Sequence, residues 1–268
     1  MSNLKIYCVT NKRLDLLENF SYDLGWVGTE EAPKNYIRCD NKENIFFKEK
    51  YYSELTFHYW YWKNLLNLND TNWVGFCQKR RFWLKKDSKK INLNKANLKN
   101  HLLEEVPNEW NKFESIICEP ISVNKVKKMK MIKRGFRSIL KKPEIFFNEQ
   151  KQSLAFHFDM HHGYGNLNKA INLINEEDKG EFLKYVNNSV SYNPHIMLIT
   201  KPEILDKWFN VLFSWLSRCE SEFGFDDLKG YDTKRLYAYL AERYLSFWFN
   251  KYTKTLNWPW SFFDASEK

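Results

Sequence analysis

The sequence predicts an α/β fold, because short apolar runs alternate with longer segments of helical periodicity. LKIYCVT at 4–10, WVGFC at 73–77 and HIMLIT at 195–200 have the length and continuous apolar character of buried strands. Several of the segments between them repeat apolar residues every three or four positions, as helices packed on a sheet do. With 268 residues, 43% apolar and 18% aromatic, the chain can bury a substantial core, and we expect one domain over 1–268.

The predicted elements follow one another along the chain. The first helix should begin at Ser53, whose hydroxyl suits an N-cap. The strand at 73–77 should give way to a loop at Arg80 and Arg81. In full, we expect strands at 4–10, 73–77, 115–123 and 195–200, helices at 53–68, 123–140, 202–221 and 233–252, and a histidine-rich turn leading into a helix at 157–174.

The cysteines and the apolar runs indicate the cellular setting. Five cysteines are scattered with no CxxC pair, which argues against a disulfide framework or a thiolate zinc site and favours a reducing compartment. The amino-terminal residues become charged too early for a signal peptide. No apolar run approaches the roughly 18 residues that a membrane span requires. We therefore expect a cytoplasmic protein that is soluble or attached peripherally to the inner membrane.

A basic segment at 122–142 dominates the charge of the chain. The formal net charge is +9, and this segment alone holds nine Lys or Arg residues and no acid. Its apolar residues recur at helical spacing, so it should form a basic amphipathic helix with Gly135 as a weak point. Two interpretations remain open: an anchor on the anionic inner leaflet of a membrane, or a surface helix packed on the core with solvated charges.

Two arginines and a histidine cluster are candidates for anion binding. Arg80 and Arg81 follow a predicted central strand, where α/β proteins bind ligands, and one should contact a diphosphate while the other pairs with a carboxylate. His157, Asp159, His161 and His162 form the densest group of potential ligands. Hard divalent ions prefer oxygen ligands, so we favour these histidines as hydrogen-bond donors to phosphate or acceptor. If Mn²⁺ or Mg²⁺ is used at all, Asp159 is the candidate ligand.

Acidic residues provide the candidates for a catalytic base. Glu54 opens the first helix and would either act on a sugar hydroxyl or complement the helix dipole. Glu242 and Arg243 interrupt an otherwise apolar helix, so they must be matched internally or face a site. Asp226 and Asp227 lie in a glycine-flanked loop, where a functional site and a solvated turn are both plausible.

Six segments occur in an order that resembles one family. They are IYCVTNK, DNKENIFFKEKYYSELTFHYWYWKN, WVGFCQKRRFW, HHGYGNL, YNPHIMLI and RLYAYLAERYLSFW. Together they resemble the domain-of-unknown-function 4422 family of capsular and exopolysaccharide glycosyltransferases, over roughly residues 4–83 and 154–252. The resemblance implies a GT-A-like nucleotide-sugar-binding fold, with a central mixed sheet flanked by helices.

The resemblance also implies an activity and a set of site residues. A sugar, galactofuranose in some relatives, would pass from a UDP-sugar to a lipid-linked or growing glycan of a capsule, O-antigen or exopolysaccharide. The implied roles are catalysis by Glu242 and Glu54, donor binding by Thr10, Asn11, Arg80, Arg81 and His162, and acceptor or phosphate contact by His161, Arg243 and Asp227.

Departures from the family pattern fall on polar positions. Gln78 and Lys79 stand where the family motif HYRRYF has His and Tyr, and Asn11 stands where the opening strand usually ends in His. Asn166 replaces the acid of the second histidine motif, and His195 replaces an asparagine. These changes affect the side chains that would select a donor sugar, so the sequence leaves that sugar open.

Two other functions compete with glycosyl transfer. The basic charge and the aromatic residues would suit a nucleic-acid-binding protein, but zinc-finger, RRM and KH signatures are lacking, so we expect no nucleic acid partner. A non-catalytic scaffold of a polysaccharide assembly complex would account for the lost His and Tyr. The presence of Glu54, Arg80, Arg81, His162 and Glu242 favours activity.

Overall fold

The computed structural model describes residues 3–266, and the chain divides into two compact units. The first, here called the sheet unit, comprises the chain up to Glu119 together with His195–Asn210 and the part from Phe249 onward. The second, called the helical unit, comprises Pro120–Pro194 and Val211–Trp248. The assignment of residues 1–268 to one domain stays a prediction.

The strands are short except for the two central ones. In chain order they are β1 (Leu4–Thr10), β2 (Asp23–Trp26), β3 (Ile37–Arg38), β4 (Trp73–Gln78), β5 (Arg81–Trp83), β6 (Ser115–Cys118), β7 (Ile121–Ser122), β8 (Ser191–Tyr192), β9 (Leu198–Thr200), β10 (Thr255–Trp258) and β11 (Trp260–Phe262).

The helices range from single turns to 22 residues. In chain order they are α1 (Glu49–Tyr52), α2 (Leu55–Asn64), α3 (Leu98–His101), α4 (Lys128–Lys141), α5 (Glu144–Phe147), α6 (Leu154–His162), α7 (Asn166–Ile171), α8 (Glu176–Asn188), α9 (Pro202–Phe223), α10 (Tyr231–Lys234) and α11 (Leu236–Tyr252).

The sheet unit is built on a mixed sheet in the order β10-β6-β9-β4-β1-β2-β3. Strand β1 is parallel to both β4 and β2, β2 is parallel to β3, and β6 is parallel to β10. Strand β9 is antiparallel to both β4 and β6, and β5 pairs antiparallel with β4 and β11. The predicted α/β fold with a central mixed sheet flanked by helices is confirmed.

Aromatic side chains fill much of the core of the sheet unit. On α2, the Phe57 ring lies 5.8 Å from Tyr7, and the His58 ring lies 4.3 Å from Phe76 on β4. Trp110 packs edge-on against Trp73 and Trp258, with ring centroids 5.3 and 5.2 Å away. Packing of this kind stabilises the core beyond simple burial of area. These rings therefore serve the packing of the core.

The first predicted helix is shorter than expected. Instead of a helix over 53–68, the structure has α2 over Leu55–Asn64. The single turn α1 precedes it, and Ser53 between them adopts φ 52°. The N-cap of α2 is Glu54, and Thr56 donates hydrogen bonds from its amide and its hydroxyl to the carbonyl oxygen of Ser53 (3.1 and 2.9 Å). The N-cap prediction for Ser53 was therefore wrong. The left-handed backbone turns the chain at this residue, so helical geometry stops there.

The helical unit contains the predicted basic helix, which begins later than expected. Helix α4 begins only at Lys128. The Val123 amide donates to the carbonyl oxygen of Val190 (2.8 Å), and Lys125 has φ 62°, so the chain before Lys128 is not helical. Gly135 is where α4 meets α6, and a Cβ there would lie 2.6 Å from the Phe156 ring. Gly135 is thus a close contact between helices. It is not the weak point that the sequence predicted.

Candidate functional site

Polar residues gather where β1 and β4 end. The two strands are parallel neighbours, so their carboxyl ends lie at the same edge of the sheet, where α/β proteins usually bind ligands. Asn11 follows β1, and Lys79 follows β4. The ammonium group of Lys79 donates to Oδ1 of Asn11 (2.6 Å). We call Asn11, Glu54, Gln78, Lys79 and Arg81 the edge cluster.

Thr10, predicted to bind the donor, shapes the loop after β1. Its hydroxyl donates to the carbonyl oxygen of Lys12 (2.6 Å) and accepts from the Lys12 amide (3.0 Å), and the residue is buried. Hydroxyl groups that bond the backbone two residues onward stabilise tight turns. The Thr10 side chain therefore holds the turn that presents Asn11 at the edge.

Gln78 joins two segments that are distant in sequence. Its amide nitrogen donates to Oε1 of Glu54 and to the carbonyl oxygen of His195 (2.8 Å). Glu54 thereby receives a neutral hydrogen-bond donor that orients its carboxylate. Sequence reasoning noted Gln78 only as a departure from the family motif and missed this positioning contact.

Backbone strain is concentrated beside the same residues. Ser53, which precedes Glu54, has φ 52°, while His195 and Ile196 have φ 72° and 52°. Such values are costly for residues with a side chain and for β-branched residues above all, and they cluster at functional sites. The chain thus carries strain on both sides of the contact that Gln78 makes.

The two predicted arginines have different surroundings. Arg80 donates from Nε to Oδ2 of Asp264 (2.5 Å). Arg81 begins β5 in a hairpin with β4, not in a loop as predicted, and its guanidinium lies 5.2 Å from the Phe262 ring centroid. The Nε of Arg81 is buried and has no hydrogen-bond partner among residues 3–266. An unsatisfied buried donor is costly unless a ligand or water completes it, so Arg81 is the stronger candidate for anion binding.

A second polar cluster lies in the helical unit around Arg243, which is only 1% exposed. Its Nη1 donates to Oε2 of Glu242 (3.1 Å), and its Nη2 donates to Nδ1 of His157 (3.2 Å). The guanidinium carbon lies 3.7 Å from the centroid of the Tyr192 ring. A buried cation needs compensation of this kind. We call His157, His161, His162, Glu242 and Arg243 the histidine–arginine cluster.

Burial and the contact with Arg243 together determine the protonation and the tautomer of His157. Burial, and then the positive charge of Arg243, lower the pKa of His157 to about 2, so the imidazole is neutral near pH 7. Arginine can only donate, so Nδ1 of His157 is the acceptor and Nε2 carries the proton.

His162 has the opposite tautomer. Its Nδ1 lies 2.8 Å from the carbonyl oxygen of Asp232, which can only accept, so Nδ1 carries the proton. Burial, followed by the charge of Arg243, lowers the pKa of His162 to about 3, and the ring stacks on Tyr239 at 3.7 Å. Nε2 is therefore an acceptor. This geometry favours accepting a hydroxyl hydrogen over the predicted donation to phosphate.

Two buried polar atoms of this cluster have no hydrogen-bond partner within the described part of the chain. They are Nδ1 of His161 and Nε of Arg243. Burial is the main reason that the pKa of His161 falls to about 4, and its ring lies 4.5 Å from that of His157. Each of these unsatisfied atoms is a place where a polar ligand or water would gain a hydrogen bond.

Asp159 was predicted to belong with these histidines and Asp227 to contact the acceptor or phosphate, but neither residue joins this cluster. Asp159 accepts from the Gly165 amide (2.9 Å) and from the Ser138 hydroxyl (2.8 Å), so both of its oxygens serve the local fold. Burial raises the pKa of Asp159. Among residues 3–266 no group of three or more His, Cys, Asp or Glu side chains could hold a metal ion, so the donor set does not fit Mn²⁺ or Mg²⁺. Asp227 is exposed in the loop after α9.

The fold and the polar groups at the edge of its sheet define a class of protein. A mixed α/β sheet presents amide, carboxylate and cationic groups at the carboxyl edge of its parallel strands, which is the arrangement of an α/β ligand-binding protein. The chain belongs to the family described as Domain of unknown function (DUF4422), whose model matches residues 5–254. A search of curated proteins finds no match to the sequence.

Solved structures support the fold. The apo structure of the bifunctional glycosyltransferase WbbM matches 97% of this chain with a TM-score of 0.70 at 18% sequence identity. The match covers 45% of that protein, so this chain spans less than half of its length. The mannosyltransferase Ktr4p from S. cerevisiae matches 81% of this chain and 62% of its own at 11% identity, but the TM-score of 0.27 carries no argument.

Proposed function

We propose that the protein is a glycosyltransferase that moves a sugar from a nucleoside-diphosphate donor, a UDP-sugar such as UDP-galactofuranose, to a surface glycan. The observation that carries this proposal is the buried, unpartnered Nε of Arg81 at the carboxyl edge of the sheet. It stands in a fold that the bifunctional glycosyltransferase WbbM shares. The acceptor would be a lipid-linked or growing chain of a capsule, O-antigen or exopolysaccharide at the inner membrane.

The leaving diphosphate is the first requirement of this chemistry. Charge develops on the oxygen that leaves the sugar, and fixed cations stabilise it in the transition state. Arg81 suits this role because its guanidinium stays protonated and can donate two parallel hydrogen bonds to phosphate oxygens. Lys79, held against Asn11, supplies a second cation at the same edge.

Glu54 is the candidate in the edge cluster for contact with the donor sugar or for proton removal. The amide of Gln78 orients its carboxylate without adding a positive charge. A carboxylate oriented in this way can accept a proton from a hydroxyl group. Gln78 acts through Glu54 and is assigned as a positioning residue.

The histidine–arginine cluster suits a hydroxyl-bearing acceptor. Nε2 of His162 can accept a hydroxyl hydrogen, and the Glu242 carboxylate is a candidate general base. His161 and Arg243 would supply the unsatisfied nitrogens as acceptor or phosphate contacts. Since Asp159 is engaged by Ser138 and Gly165, the proposal assigns no metal ion to the reaction.

A thermal-shift series tests the proposal. UDP, GDP, CMP, dTDP and their sugar conjugates are compared with and without Mn²⁺. A nucleotide present at about 100 times its Kd should raise the melting temperature by roughly 5 °C or more, because it binds only the folded state. Arg81→Ala should abolish that shift, whereas the control Lys90→Ala, which removes an exposed cation outside the edge cluster, should retain it.

Transfer itself is measured with the nucleotide sugar that gives the shift. Release of nucleoside diphosphate that depends on a glycan acceptor supports the enzyme. A cooperative melt with no shift from any nucleotide, and no release, would instead support the non-catalytic scaffold. A shift that survives in Arg81→Ala would remove this residue from the donor site.

A further inference from the structure

Helix α4 has an apolar stripe that the helical unit leaves exposed. Met129, Ile132, Phe136 and Leu140 follow one another at intervals of three, four and four residues, so they share one face over an arc of roughly 80°. Their exposed fractions run from 47% at Ile132 to 77% at Met129. A soluble surface helix rarely exposes four large apolar side chains in a row.

A different face of α4 packs on the helical unit. Met131, Gly135 and Ser138 are buried there, and Met131 contacts a cluster that includes Phe156 and Met160 of α6. The stripe is consequently additional to the packing face. Packing on the core explains the buried face of α4. It does not explain the exposed apolar stripe.

The third face of α4 is basic. Lys130, Lys133, Arg134, Arg137 and Lys141 occupy the side of the stripe away from the packing face, and all five are exposed. A groove of about 340 Å³ beside them is lined by Lys133, Arg134, Arg137 and the ring of Tyr164, among others. The helix thus places a continuous row of cations next to an apolar row.

The helix that follows extends the apolar surface. Helix α5 contacts α4, and Phe147 at its end is 81% exposed. Phe146 packs edge-on against Phe147 at 5.3 Å, and it also packs on the buried cluster beneath α4. Two adjacent helices therefore expose large apolar side chains beside the same basic segment.

We propose that α4 docks this protein on an anionic membrane surface. Met129, Ile132, Phe136 and Leu140 enter the boundary between headgroups and acyl chains, and the row from Lys130 to Lys141 contacts lipid phosphates. Adjacent apolar and cationic rows are what an interfacial helix requires. No helix among residues 3–266 is long and apolar enough to cross a membrane, so the contact is peripheral.

Charge complementarity decides between possible occupants. Nine Lys or Arg residues without an acid at 122–142, of which Arg134 pairs with Asp232, favour a strongly anionic surface. A nucleic acid would satisfy the cations but leave the apolar stripe in water, whereas a second copy of this helix would repel the first. An anionic bilayer satisfies both rows together. This proposal does not rest on glycosyl transfer, and its test needs no sugar donor.

Vesicle flotation tests the apolar row. The full chain is mixed with vesicles of phosphatidylcholine alone or with phosphatidylglycerol added. We expect binding only to the anionic vesicles and release at high salt. The double variant Phe136→Ser with Leu140→Ser should bind about tenfold more weakly. The matched control, Phe47→Ser with Leu68→Ser, removes exposed apolar side chains of the sheet unit and should bind as the parent does.

A second pair of variants tests the cations. Lys130→Gln with Lys133→Gln should weaken binding about tenfold, and Lys90→Gln with Lys95→Gln, which removes the same charge from the sheet unit, should have a much smaller effect. All replaced side chains are exposed, and melting curves verify folding. The proposal is overturned if the protein binds neutral vesicles equally well or binds no vesicles. It is also overturned if both pairs of lysine variants lose equal affinity, or if the protein is a dimer that Phe136→Ser dissociates.

Discussion

The side-chain amide of Gln78 donates a hydrogen bond to the carboxylate of Glu54. The same nitrogen donates to the carbonyl oxygen of His195, so the amide is held from two sides. A charged partner at position 78 would give Glu54 a second role as half of an ion pair. The neutral amide instead orients the carboxylate without adding a charge.

Gln78→Glu should destabilise the protein in a pH-dependent way. It places a second carboxylate against Glu54, so repulsion should raise the pKa of one of the pair above its unfolded value. We expect a loss of about 1–2 kcal/mol in the free energy of unfolding near pH 7. Below the unfolded pKa the pair is protonated, so most of the loss should disappear as the pH falls toward that value.

Urea unfolding at several pH values measures this effect. Gln150→Glu, which adds the same charge at an exposed turn, is the control and should change stability little. A Gln78→Glu protein with the parent's stability throughout would contradict the contact between Gln78 and Glu54.

Gly135→Ala should destabilise the helical unit although alanine favours helices. The new Cβ would lie 2.6 Å from Cε2 of Phe156 and 3.0 Å from Cγ of Met160. We expect a net loss of about 1–2 kcal/mol, since overpacking outweighs the gain of about 1 kcal/mol in helix propensity. Gly180→Ala is the matched control, because no atom lies within 4 Å of its new Cβ in α8. Gly180→Ala should raise the melting temperature, whereas Gly135→Ala should lower it. If both variants shift the melting temperature in the same direction, the close approach at Gly135 is refuted.

Acid should destabilise the protein through its buried neutral histidines. His157 and His162 have folded pKa values of about 2 and about 3, below the unfolded value. The contribution of these two histidines to the free energy of unfolding is therefore fully present above about pH 6.5. It decreases by about 1.4 kcal/mol per histidine for each pH unit below that value. His162→Asn, which can still donate to the Asp232 carbonyl, should reduce the slope between pH 6 and pH 4 by about one histidine's share. An unchanged slope in chemical unfolding would show that His162 titrates alike in both states.

Glu242→Gln should lower stability as well as activity. Arg243 is 1% exposed and donates to the Glu242 carboxylate, so the amide leaves a buried cation less well compensated. We expect a loss of about 3 kcal/mol. Replacing Arg243 by Met as well should recover part of it, because the uncompensated charge is then removed. If the single variant unfolds at the parent's urea concentration, Glu242 is not the counter-ion that holds Arg243.

The central strands were predictable because burial on both faces leaves a continuous apolar run. This holds for β1, whose two neighbours are parallel, and for β4, which lies between β1 and β9 in the middle of the sheet. Strands β10 (Thr255–Trp258) and β11 (Trp260–Phe262) were not predicted. They have four and three residues, and their partners β6 and β5 lie far away in the sequence, so no local period marks them.

The candidate site was predictable where a side chain's chemistry is unusual for its position. Arg81 after a buried strand and Arg243 within an apolar helix are of this kind. Gln78 was not, because its role depends on Glu54 and on the His195 carbonyl, which are 24 and 117 residues away. The left-handed backbone at Ser53 and Ile196 was equally invisible, since neither residue type favours it.

The order of the strands affects how the chain folds during synthesis. Strand β6 lies between β9 and β10, which come from residues 198–200 and 255–258. One edge of β6 therefore stays unpaired until β9 is translated, and the other until β10 is, and open edges of apolar strands invite aggregation. The sheet can close only after β10 has left the ribosome. Chaperones that cover nascent strands should therefore influence the yield of this protein more than its final stability.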